Sequence, residues 1–185
     1  MQTTNQVFKP AQLPETNIQL TPSMTSASAS AVKASAFVCP DPHTTWLSPH
    51  FRLIEFVRSG VAVDRGLDNT PGADAIEALR ALCENILEPM RHHFGAIYIT
   101  SGYRSRRVNN AVGGTGGSQH CCGEAADILL STFDDWRAPV QFIRRLDFDQ
   151  LIVEPLHEPL PRWLHVSYST RHRNRHELVT GDFRL

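Results

Sequence analysis

The spacing of apolar residues changes character along the chain, and each change marks an element. Over "TPGADAIEALRALCENILEPMRHHFG" (70–95), Ile76, Leu79, Leu82, Cys83, Ile86 and Met90 recur at helical intervals, which predicts one amphipathic helix. Thr70 is a candidate cap, and Pro71 suits the first helical position, where its missing N–H costs nothing. Pro89 removes a donor near the end and predicts a kink or split in the last turn, while Gly95 predicts the stop. "AIYITS" (96–101), "AADILL" (125–130), "FDQLIVE" (148–154) and "RWLHVSYS" (162–169) are short apolar or β-branched runs that read as strands. "TFDDWRAPVQFIRRL" (132–146) reads as another helix, and the Gly-rich segment 113–117 as a loop. Order is expected to begin near "WLSPHFRLIEFVRS" (46–59), anchored by Trp46, Phe51, Ile54 and Phe56. The elements mix without a βαβ rhythm, which favours an α+β fold with a small, largely antiparallel sheet packed with helices.

Residues 1–44 show no such period. Thr, Ser, Ala, Pro and Gln dominate there, with four charged side chains. A segment of that kind cannot bury enough apolar surface to offset the entropy of ordering it. The expected division is a mobile tail over 1–44 and one domain over 45–185, as suits a chain of 185 residues that is 41% hydrophobic. A net charge of -1 gives no global pull toward nucleic acid or a membrane surface. No apolar run approaches the roughly 18–20 residues of a bilayer span, and the first residues lack a basic stretch followed by an apolar one, so no signal peptide is recognisable. The four cysteines, Cys39, Cys83, Cys121 and Cys122, form no C-x-x-C pair and are too few for a disulfide scaffold; they read as free thiols.

Candidate chemistry concentrates in "SGYRSRRVNNAVGGTGGSQHCCGEAADILL" (101–130) and in "WLHVS" (163–167). His120 and Asp127 are seven residues apart, a spacing that sends them to opposite faces of a continuous strand. Gly123 lies between them and can supply a turn or bulge that breaks the alternation. In the last strand, His165 shares a face with Trp163 and Ser167, so if Leu164 and Val166 enter the core, His165 faces a cleft. Two imidazoles and a carboxylate leave a fourth tetrahedral position for water, the arrangement of catalytic zinc. Spacing alone leaves a surface or hydrogen-bonded histidine as the commoner reading.

The combination is more specific than its parts. S-G-Y-R-S, a Gly-rich loop, S-Q-H-x-x-G-x-A-x-D-I and W-x-H-V-S resemble the zinc D-alanyl-D-alanine carboxypeptidase family. Its relatives include vancomycin-resistance dipeptidases, phage L-alanyl-D-glutamate endopeptidases and the hedgehog signalling domain. The matching pieces are "SGYRS" (101–105), "SQHCCGEAADI" (118–128) and "WLHVS" (163–167), and the likeness runs from about residue 46 to 178. It implies a hedgehog-like fold and one Zn2+ per chain, held by His120, Asp127 and His165. It also implies that Arg104 binds or polarises the substrate carbonyl, against the plainer reading of a structural salt bridge. Ser118 and Gln119 are candidates to hydrogen-bond substrate, or to cap the loop. The dipeptidase branch carries Glu three residues before the last His, where this chain has Arg162. Glu154, at a position where smaller members also carry Glu, is the expected general base, with Glu124, Glu158 and His157 as rivals.

Three functions compete on these residues. The first is a zinc peptidase cutting D-Ala–D-Ala or L-Ala–D-Glu bonds in peptidoglycan, a monomer acting at the bacterial cell wall or in the periplasm, with a phage-encoded origin left open. The second is a non-catalytic, zinc-containing wall-binding or virion module of the same fold. The third, a thiol enzyme using Cys121, is the weakest; Cys121 and Cys122 are expected to be buried thiols. "RHRNRH" (171–176) could attract anionic wall polymer, but a solvated segment is the expected reading.

Overall fold

The computed structural model describes residues 37–185. Most of the expected mobile tail, residues 1–36, lies outside the described residues. Pro42, assigned by sequence to the tail, is tied to the domain, since its carbonyl accepts from Ile54 N at 3.0 Å.

Two short strands, β1 (Trp46–Ser48) and β2 (Phe51–Arg52), pair as a small antiparallel ribbon. Two single-turn helices come next, α1 (Leu53–Val57) and α2 (Gly60–Asp64). The long amphipathic segment then forms α3 (Ala73–Leu82), a π-helical turn (Cys83–Leu87) and α4 (Glu88–Phe94). Its apolar stripe is buried throughout, from Ile76 and Leu79 to Ile86 and Met90. Two details of its ends differ from expectation. Thr70 does not cap the helix: its hydroxyl and its amide both bond Asp68 Oδ1, at 2.6 and 2.9 Å, and Gly72 occupies the cap position. Pro89 does not split the helix, because the preceding turn widens; Glu88 N reaches back five residues to Cys83 O. A wide turn accommodates a ring that would clash with the carbonyl four residues earlier. Gly95 ends α4 with φ 81, as its lack of a Cβ permits.

The main sheet has five strands in the order β3-β4-β6-β5-β7: β3 (Ile99–Ser101), β4 (Ala125–Leu129), β5 (Gln150–Glu154), β6 (Trp163–Ser167) and β7 (Glu177–Val179). All its pairings are antiparallel except β5 with β7. The fold is therefore α+β with a largely antiparallel sheet. Helix α5 (Arg106–Ala111) comes after β3, and α6 (Arg137–Ile143) lies between β4 and β5. One face of the sheet, with Ala126, Ile128, Leu151, Val153, Leu164 and Val166, joins α3 and the π turn in the apolar core. Among the described residues, no helix is long and apolar enough to cross a membrane.

Candidate active site

The opposite face of the same sheet carries the chemistry. Strands β4 and β6 pair so that Asp127 and His165 are direct cross-strand partners, and Ile152 of β5 flanks His165 on its other side. Side chains alternate along a strand, so with Leu164 and Val166 in the core, His165 must point away from it. His120 arrives from a 3-10 turn (Gln119–Cys122) that ends at Gly123 in the left-handed region, φ 74. A Cβ at 123 would lie 2.2 Å from the Ala75 carbonyl oxygen, so only glycine lets this turn rest on α3. The turn absorbs the odd spacing, and His120 reaches the face that Asp127 occupies.

His120, Asp127 and His165 form a buried cluster, each offering one ligand atom, with all three atoms within 4.8 Å of one another. Asp127 Oδ1 is 3.2 Å from His120 Nε2 and 3.0 Å from His165 Nδ1. His120 Nδ1 lies 2.6 Å from the Gly102 carbonyl, which can only accept; the proton therefore sits on Nδ1 and the Nε2 lone pair faces Asp127. Burial pushes the His120 pKa down against the opposing pull of the Asp127 charge. Burial alone would raise Asp127, but the two imidazoles outweigh it and hold the carboxyl well below its ordinary range. Two imidazole nitrogens and a carboxylate oxygen are a donor set that suits zinc or a similar borderline divalent cation, so the cluster could hold such an ion.

A cleft of about 920 Å³ opens over this cluster, and Arg104, Ser118, Gln119 and Glu154 line it together with the three candidate ligands. Arg104 lies just past β3; its Nη2 donates to Asp127 Oδ2 at 2.7 Å and its Nε to Ser101 Oγ at 2.9 Å. It is thus paired with a candidate ligand while still edging the cleft. Glu154 ends β5 on the face shared by Gln150 and Ile152. Burial and the Asp127 charge raise its pKa, with His165 and Arg104 pulling the other way. The rival bases sit elsewhere. Glu124 is fully buried and held by the Arg171 fork, Glu158 pairs with Arg162, and His157 meets Asp182 at 3.1 Å. Ser118 precedes the 3-10 turn without a side-chain cap bond, and Gln119 Nε2 donates to Asp149 Oδ2 at 2.7 Å.

One expectation needs correction. Cys121 and Cys122 are free but half-buried, and they line a second pocket with Tyr103 and Ala75. Their turn leaves them facing α3, away from the cluster, and burial raises the Cys121 pKa, which disfavours a thiolate. The segment 171–176 is solvated along most of its length, as expected, with Asn174 alone buried, but it is also anchored: Arg171, His172 and Arg175 line the cleft. Two fully buried carboxylates recruit it. Glu124 takes Arg171 Nε and Nη2 at 3.1 and 2.7 Å, and Asp149 takes Arg175 Nε and Nη2 at 3.0 and 2.7 Å. Asp149 was missed from sequence; the one signal was a pair of acids, Asp147 and Asp149, preceding a basic run that needed partners.

The sequence model of the family described as Peptidase M15 matches residues 49–167, most of the domain and every element that carries a candidate ligand. No curated protein matches the chain significantly. The chain belongs to the peptidase M15 family, and it is a peptidase.

Proposed function

We propose that this M15 peptidase is a zinc-dependent hydrolase of peptidoglycan peptides, with His120, Asp127 and His165 as ligands and Glu154 as general base. The observation that supports it most is the convergence of two imidazole nitrogens and a carboxylate oxygen within 4.8 Å, on the floor of a cleft that Glu154 also lines. When bound, the metal supplies Lewis-acid polarisation of the scissile carbonyl and acidifies the attacking water. Glu154 accepts the proton of that water and returns it to the leaving amine, and its raised pKa makes it a stronger base than an exposed carboxylate. Arg104 donates to Asp127 Oδ2, which fixes Oδ1 toward the imidazoles; its remaining N–H groups edge the cleft and stabilise negative charge on the carbonyl oxygen. Gly102 O holds His120 in the tautomer that presents Nε2. The place of action is the bacterial wall.

The test is hydrolysis of defined muropeptides by the purified chain, with products read by mass spectrometry, with and without chelator. Glu154→Gln is expected to keep its metal and lose ~10²–10⁴-fold in rate. Undiminished hydrolysis by that variant would remove Glu154 from the mechanism, and hydrolysis that survives complete metal removal would end the zinc reading. A non-catalytic module of the same fold would bind metal and cleave nothing.

A further inference from the structure

The wall of the cleft formed by residues 171–175 has no part in the chemistry described so far, yet two bidentate ion pairs to buried carboxylates anchor it. Arg171 commits Nε and Nη2 to Glu124, which leaves Nη1 without a partner among the described residues. Arg175 commits Nε and Nη2 to Asp149, and its Nη1 lies 2.9 Å from Glu177. Both carboxylates beneath the forks are fully buried, while both guanidiniums stay about half exposed and line the cleft. A guanidinium held from behind in this way meets a ligand with little ordering left to do.

Asp149 also sets what lies beside the forks. Its Oδ2 accepts from Gln119 Nε2, and an ionised carboxylate can only accept, so the amide end of Gln119 is fixed and its Oε1 is left as the acceptor on the cleft side. The same residue's N–H bonds Ser167 O at 2.8 Å, two residues beyond His165, and Gln119 adjoins His120. The rim is therefore tied to both elements that carry the imidazoles.

We infer that Gln119, Arg171 and Arg175 form a subsite for an α-amido carboxylate, a carboxylate whose neighbouring α-carbon bears an amide N–H. The N–H groups that the forks leave over, chiefly Arg171 Nη1, take the carboxylate, and Gln119 Oε1 takes the N–H. This rests on the peptidase reading and deepens it, because a stem peptide carries that group in two places. One is its C-terminal residue; the other is the D-Glu linked through its side chain. Occupation by the first directs cleavage to the terminal bond, and occupation by the second directs it to the L-Ala–D-Glu bond.

The experiment compares L-Ala–γ-D-Glu–L-Lys–D-Ala–D-Ala with two analogues, one amidated at the C-terminus and one at the D-Glu α-carboxyl. Affinity for the zinc-loaded full chain is measured by calorimetry, and cleavage by mass spectrometry. One of the two amidations is expected to weaken binding ~10–100-fold, as loss of charge-assisted hydrogen bonds implies. The paired replacement E124Q/R171Q, which removes a buried charge together with its partner, is expected to shrink that difference to under about 3-fold, still at RT-scale energies. If that variant melts without cooperativity, R175K carries the same comparison, since it keeps the charge and loses the fork. Equal binding of all three peptides, no binding of the parent, or an undiminished preference in the folded variant overturns the subsite. A carboxylate preference without cleavage of any peptide leaves the subsite standing and overturns the peptidase reading of its substrate.

Discussion

Asp127 and Asp149 are buried carboxylates beside one cleft, and they differ in the kind of partner each has. Asp149 is met by donors: the Gln119 amide, the Arg175 backbone N–H, the Arg175 fork and, at 3.8 Å, His172 Nδ1, which carries the proton it gives to the Arg173 carbonyl. Asp127 gives Oδ2 to Arg104, but its Oδ1 faces two imidazole nitrogens, which can present lone pairs as well as protons. A carboxylate surrounded by donors is satisfied and inert toward cations. One that shares its space with imidazoles has a second way to be satisfied, through an ion. Burial and a lowered pKa are common to both sites, so neither quantity separates a structural carboxylate from a ligand. The partners do.

Exchanging the two roles by mutation tests that distinction. His165→Ala removes one lone pair from the cluster and is expected to reduce bound metal, by elemental analysis, to background, with peptidase activity lost alongside it. Asp149→Ala is expected to keep full metal content and to lose stability instead. Its partner Arg175 is half exposed and regains water, so the cost is about 1–3 kcal/mol and not that of a stranded buried charge; thermal melts read it. The smallest effect is on pH. Burial lowers the folded-state pKa of His120, so the unfolded chain binds the proton more readily. The stability of the neutral ring is fully present above the unfolded value of about 6.5 and is lost as pH falls from there toward the lowered folded value. Melts of chelated protein from neutral to mildly acidic pH should decline over that window, and less so in His120→Gln.

The sheet and its reactive face were legible because they rest on alternation. Leu164 and Val166 flanking His165, and Leu151 and Val153 within β5, state in the sequence which residues turn inward. The motif residues Arg104, Ser118, Gln119, His120, Asp127, Glu154 and His165 all line one cleft. What stayed hidden lacks a local pattern. Helix α5, "RRVNNA", has no apolar stripe, and its cap is a serine bonded to Val108 N. Strand β7 pairs in parallel with β5, a partnership that no hairpin signal announces. The position of Arg171 and Arg175 depends on Glu124 and Asp149, distant acids that resemble any others until the chain has folded.

The order of these parts along the chain bears on how they can vary. All three candidate ligand side chains precede residue 171, and the basic wall comes after them. The two sets of residues thus belong to separate stretches, so a change confined to the last fifteen residues can reshape the wall of the cleft without removing a candidate ligand.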